Sequence, residues 1–211
     1  MKKQLYIIRH GETDFNRMGI VQGSGVDTDL NDLGRAQASA FAEAYQDVDF
    51  QLIVTSKLKR TQQTVQFFLD KKIPHIVTSD INEIHWGVHE GKKSTLESRA
   101  NYNLVATEWR AGNYDIATTD GETAAELAAR LTDFIAWIKT RLEQNILIAT
   151  HGRTLRAFIC LLKQEPLKNM DRYDHFNTGL VLAVFDGEKF EMELENDISH
   201  LPHYEKHNYG L

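Results

Sequence analysis

Short apolar, largely β-branched runs alternate along the chain with longer stretches whose apolar positions recur every three or four residues. Leu5-Tyr6-Ile7-Ile8, Leu52-Ile53-Val54-Thr55 and Ile146-Leu147-Ile148-Ala149 are nearly continuous apolar segments, the pattern of strands covered by helices on both faces. Between them, residues 31–45 predict a helix with Ala36, Ala40, Phe41 and Ala44 on one face and Asn31 or Asp32 as cap. Residues 57–69 and 122–142 read likewise, the latter with Thr123 or Asp120 as cap, and 155–162 continues as a mostly buried helix. Near the end, 179–185 and 189–194 flank Asp186-Gly187, a hairpin signal because Asp-Gly tolerates the positive φ of a tight turn. The alternation predicts an α/β fold with a mostly parallel sheet and one antiparallel edge strand. Residues 94–109 are helical in pattern but Gly112 and Asn113 interrupt it, so 91–120 is expected to form a lid over the carboxyl edge of the sheet, and the chain after 196 to be an irregular tail.

Composition narrows the partners. The 211 residues carry 24 Lys+Arg against 30 Asp+Glu, a net charge of −6, which disfavours broad binding to nucleic acid or an anionic membrane but leaves room for a small basic pocket. Three prolines and no repeat or low-complexity tract mark no linker, so one domain over 1–211 is expected. The one cysteine, Cys160, lies in an apolar helical stretch and reads as a buried thiol; it fits a reducing compartment. The apolar run after Met1-Lys2-Lys3 ends at Arg9-His10, too short for a signal peptide or membrane span, and a cytoplasmic location is expected.

The chemistry gathers at strand ends. Arg9-His10-Gly11, Thr55-Ser56 followed by Arg60, and Thr150-His151-Gly152 each follow an apolar run. Open α/β sheets bind ligands beyond the carboxyl ends of their strands, so two histidines and two arginines distant in sequence should converge there. Arginine presents a planar fork of donors suited to phosphate or carboxylate, and histidine can act as nucleophile, acid, base or donor. The glycines after each histidine admit close approach of a ligand to the backbone. The constellation calls for an oxyanion.

With these residues the chain resembles the histidine phosphatase superfamily, which includes the cofactor-dependent phosphoglycerate mutases. The likeness rests on Arg9-His10-Gly11-Glu12-Thr13 with Asn16, Gln22-Gly23, the segment from Leu30 to Ala38, and Ser56 to Thr64. It continues through Glu83 with Trp86-Gly87 and Glu90-Gly91, Asp120 to Thr123, and Thr150-His151-Gly152, all in the family's order. The resemblance implies a three-layer α/β/α sandwich of the phosphoglycerate mutase kind. It implies that His10 attacks phosphorus and becomes a phosphohistidine and that Glu83 protonates the leaving oxygen and later activates water. Arg9, Arg60 and His151 would hold the phosphoryl oxygens, with Asn16, Gln22, Gly23 and Gly152 as further substrate contacts. Such chemistry needs positioning and charge stabilisation more than covalent assistance, and two arginines with a donor histidine supply it with no metal and no cofactor. The same arginines should keep His10 neutral, the form that attacks.

Family mutases have a long insertion after the proton-donor segment, with arginines that grip a second acidic group. Here about 30 residues separate Gly91 from Gly121, and Arg99 and Arg110 stand apart. The spacing Glu83-x-His85-x-Gly87 is similar to the mutases, whereas Trp86 and Glu90-Gly91 are similar to the phosphatases. The expected activity is metal-independent hydrolysis of a small phosphorylated metabolite, with a mutase, or a non-catalytic phospholigand-binding module, as alternatives. A homodimer is compatible with the sequence. Trp86, Tyr102, Trp109 and Tyr114 either line a leaving-group pocket or pack the lid, and packing is the preferred reading. His85 and His89 have the spacing of zinc ligands on a helix, but Gly87 between them argues against one, and Gly91-Lys92-Lys93-Ser94-Thr95 misses the phosphate-loop spacing. His200, His203 and His207 read as a solvated tail.

Overall fold

The computed structural model describes residues 2–201. Six strands, β1 (Lys3–Arg9), β2 (Leu52–Ser56), β3 (His75–Thr78), β4 (Asn145–Thr150), β5 (Leu180–Phe185) and β6 (Phe190–Asp197), form one sheet in the order β3-β2-β4-β1-β5-β6. The first four are mutually parallel; β5 runs antiparallel to β1 and pairs antiparallel with β6. The antiparallel element is thus a hairpin at the edge rather than one edge strand: β5 lies inside, against β1, and β6 forms the border. Asp186 closes the hairpin by accepting from the amides of Glu188 and Lys189.

The continuous apolar runs arise because each strand feeds two cores. Leu5 and Ile7 enter one cluster with Ile146 and Ile148, under α5 (Leu96–Ala111), α6 (Ala124–Thr140) and α7 (Gly152–Leu162). Tyr6 and Ile8 enter another with Leu147, Phe41 and Phe68, under α2 (Asp32–Tyr45) and α4 (Gln66–Asp70). Side chains alternate across the pleat, so every strand position is apolar when both faces are covered. Three layers result.

Caps set the helix limits. Asn31 caps α2 through the Gly34 amide, and Thr123 with Glu126 forms a capping box at α6. The stretch 57–69 is not one helix: α3 (Lys59–Thr64) ends at Val65, whose φ of −106° and ψ of 13° interrupt it before α4. A short helix, α1 (Asp14–Met18), and β3 were not expected; the latter's His75-Ile76-Val77-Thr78 carries a β-branched signal but is too short and half-exposed to stand out. The lid segment contains α5, begun by a Thr95–Ser98 capping box and ended by Gly112 at φ 97°. No helix among the described residues is long and apolar enough to cross a membrane. His203 and His207 lie outside the described residues; His200 is packed against Phe41 and Tyr45.

Candidate active site

β1 and β4 are parallel neighbours with Arg9 in register with Thr150, so the residues that follow, His10 and His151, meet beyond the same sheet edge. Their rings lie 5.2 Å apart between centroids. His10 is buried, and its Nδ1 lies 2.7 Å from the Gly11 carbonyl. A carbonyl only accepts, so Nδ1 carries the proton and Nε2 is left with the lone pair. Burial above all, then the charges of Arg60 and Arg9, holds the His10 imidazole well below its ordinary pKa.

His151 has the opposite arrangement. Arg60 Nε–H donates to its Nδ1 at 3.2 Å, so Nδ1 is the acceptor and Nε2–H donates to Ser56 Oγ at 2.8 Å. Burial, then Arg60 and His10, keeps this ring neutral too. Arg60 is wholly buried, its pKa lowered to about 10 chiefly by desolvation, and still charged at neutral pH. Two further N–H groups reach the carbonyls of Val26 at 2.7 Å and Gly23 at 3.3 Å, tying the loop between α1 and α2 to the sheet edge. Three of its five N–H groups are thus engaged.

Glu83 sits at the start of α7. Its Oε1 accepts from the Ile84 and Thr154 amides and the Thr154 hydroxyl, each at 3.0 Å, and its Oε2 accepts from the Arg153 amide at 3.1 Å. The first amides of a helix make a natural carboxylate cradle. Arg9 donates to the His175 carbonyl at 2.9 Å. Asn16 turns its Oδ1 back to the Thr13 amide and hydroxyl, which leaves its amide nitrogen as the donor on the pocket side.

A cavity of about 410 Å³ opens on this edge, lined among others by Arg9, His10, Asn16, Gln22, Glu83 and Gly152. Arg60 and His151 lie behind its wall, and Gly23 does not line it either. Gly23 instead permits close packing: a Cβ there would meet Glu90 Oε1 at 1.8 Å and the Ile84 carbonyl at 2.6 Å. Gly152 leaves space for the His175 ring, 2.4 Å from where a Cβ would stand.

Arg153 and His175 face the cavity and escaped the sequence reading. Arg153 follows Thr150-His151-Gly152 directly and was open to notice; His175 lies in an irregular stretch with no pattern to signal it. Trp86 and Tyr102 also line the cavity, correcting the preference for packing, whereas Trp109, buried and bonded to the Ile116 carbonyl, and Tyr114, accepting from the Lys168 amide, do pack. His85 precedes a 3-10 turn that ends at His89, and the two face separate partners, the Asp120 carbonyl and Asn101. Cys160 is buried and its thiol pushed up to about 12 by desolvation, which suits packing.

The family model for the histidine phosphatase superfamily (branch 1) matches residues 5–198. The chain belongs to that family. This branch 1 chain is 30% identical over 201 residues to the Hydrogenobacter thermophilus protein named "Putative phosphoserine phosphatase 2", covering 94% of this chain and 97% of that one. It is 31% identical over 172 residues to a 2,3-bisphosphoglycerate-dependent phosphoglycerate mutase of Methylobacterium radiotolerans, covering 77% and 80%. The crystal structure of the alpha-ribazole phosphatase from Shigella flexneri superposes with a TM-score of 0.82 at 27% identity, over 92% of this chain and 96% of that one.

Proposed function

We propose that this histidine phosphatase hydrolyses small phosphomonoesters in two steps through His10, as one domain over 1–211 with the 91–120 segment as lid. The observation that carries the reading is the Nδ1–H bond to the Gly11 carbonyl on a buried, neutral ring, which leaves Nε2 as the nucleophile at the cavity. Nε2 attacks phosphorus, the P–O bond to the leaving alcohol breaks, and Glu83 supplies that oxygen with a proton. Water then attacks the phosphohistidine, Glu83 accepts its proton, and the P–N bond breaks to release phosphate and free His10. Arg9, Asn16, Gln22 and Gly152 flank the phosphoryl group from the cavity wall.

Arg60 and His151 serve it from behind. A phosphoryl oxygen arriving between them takes the Arg60 Nε–H that now rests on His151 Nδ1. In the other neutral tautomer, the one ring proton moved from Nε2 to Nδ1, Nδ1–H donates to the same oxygen and the Ser56 hydroxyl turns to donate to Nε2, since a hydroxyl both gives and accepts. Gly23 contributes through its carbonyl, which holds Arg60 in place.

Hydrolysis rather than mutase chemistry is favoured by the lid. Arg99 bonds Ser94 and Arg110 bonds Asp171, and neither lines the cavity. The test uses p-nitrophenyl phosphate in the presence of EDTA: hydrolysis is expected, with phosphate trapped on the His10 peptide after a rapid quench. With 3-phosphoglycerate, phosphate release is expected whether or not 2,3-bisphosphoglycerate is present. Efficient, bisphosphate-stimulated formation of 2-phosphoglycerate would overturn the assignment.

A further inference from the structure

Beside the phosphoryl site the cavity wall carries a further arginine. Arg153, buried at the head of α7, gives one N–H to Asp171 Oδ1 at 2.6 Å and one to the Tyr102 hydroxyl. Asp171 is shared: Arg110 reaches its other oxygen at 3.1 Å and Arg156 reaches Oδ1 at 3.3 Å, so one carboxylate faces three guanidinium groups. The guanidinium groups act on their neighbours. His175 is held far below its ordinary pKa by burial and then by Arg9, Arg156 and Arg153, and Arg156 is lowered by burial and then by Arg153. Among the described residues the side-chain bonds of Arg153 use two of its five N–H groups, and its side chain faces the cavity.

The position matters as much as the charge. The Arg153 amide holds Glu83 Oε2, the carboxylate assigned to protonate the leaving oxygen. The guanidinium bonds Tyr102 of the lid helix, and Arg153, Tyr102 and Glu83 line the same cavity, which puts it on the side of the leaving group. Its plane is backed by the rings of Trp86, Tyr102 and Trp109 at 5.7–6.0 Å, which leaves its edge as the donor. A buried, charged planar donor edge facing the cavity matches a carboxylate.

We propose that Arg153 is a specificity-determining residue that binds a carboxylate on the leaving group, so that the preferred substrates are small phosphomonoesters bearing a carboxylate near the ester oxygen. The proposal rests on the phosphatase reading above and deepens it. It is tested with matched pairs: O-phosphoserine against O-phosphoethanolamine, and 3-phosphoglycerate against glycerol 3-phosphate. In the unmodified protein the acidic member of each pair should have a kcat/KM at least about tenfold higher. In Arg153→Met that ratio should fall to about one, and in Arg153→Lys, which keeps the charge but loses the planar fork, it should be intermediate. An unmodified protein without the preference overturns the proposal, as does an Arg153→Met variant that loses activity on both members equally, the result of a purely structural clamp. A measurement independent of any variant is inhibition of the unmodified protein: phosphonoacetate should compete at least about tenfold better than ethylphosphonate, and equal inhibition counts against a carboxylate site. Hydrolysis of p-nitrophenyl phosphate through His10 separates the two claims, because it can hold while the pairs show no preference.

Discussion

His10 and His151 begin from nearly the same local design and finish with different chemistry. Each follows a parallel strand of the same sheet, each precedes a glycine, each is buried, and each is held neutral by burial and by Arg60. What separates them is the partner of Nδ1. For His10 that partner is a carbonyl, which fixes the proton on Nδ1 and leaves Nε2 nucleophilic. For His151 it is an arginine N–H, which makes Nδ1 the acceptor and sends the Nε2 proton to Ser56. A strand–His–Gly motif therefore supplies a buried imidazole, and the second partner assigns its role.

The largest effects should come from substituting the two histidines in turn. His10→Ala should lower kcat for p-nitrophenyl phosphate by about 10⁴-fold or more and abolish the trapped phosphohistidine. His151→Ala should cost about 10²–10³-fold, the scale for loss of one donor to the transition-state charge, with the phosphohistidine still detectable. Equal losses, or labelling that persists without His10, would erase the distinction drawn between them.

A smaller effect is expected at Ser56. Ser56→Ala removes the acceptor of the His151 Nε2 proton, leaving a buried donor unpaired at a cost of about 1–3 kcal/mol in stability. It should also reduce kcat several-fold while leaving the His10 tautomer, and thus labelling, intact. Unchanged stability and rate would mean that Ser56 does not orient His151.

The smallest effect is one the two rings share with His175. His10, His151 and His175 all titrate below the ordinary histidine value when folded, mainly because burial disfavours the imidazolium. Near pH 6.5 the unfolded chain takes up protons that the folded chain does not, so their contribution to stability is full above that pH and is lost as the pH falls toward the folded values. Thermal melts should give a lower Tm at pH 5 than at pH 7. A Tm independent of pH over that interval would show that these rings are not held neutral.

Much of this was legible in the linear chain. Leu5–Ile8, Leu52–Thr55 and Ile146–Ala149 announce themselves as two-sided strands because every position is buried on one face or the other. Arg9, His10, Glu83 and Gly152, named together from the sequence, line one cavity. The break at Val65 was not visible, since the residues on both sides of it are compatible with a continuous helix and only packing decides where a turn yields. Arg153 directly follows Thr150-His151-Gly152, but that adjacency alone does not distinguish a cavity-facing arginine from a solvated one. Its surroundings, Tyr102 from α5 and Asp171 beyond α7, come from distant parts of the chain.

Local pattern, acting alone, was enough to find five of the six strands, to narrow two helix caps to Asn31 or Asp32 and Thr123 or Asp120, and to give the family and the residue types at the strand ends, because these depend on side-chain period and on short spacings. Tertiary structure decided which nitrogen of each histidine holds the proton, that Arg60 and His151 stand behind the wall rather than on it, and that Arg153 reaches the cavity. Those properties are set by the partner across the fold, a carbonyl in one case and a guanidinium in the other, and no spacing along the chain encodes which of them arrives.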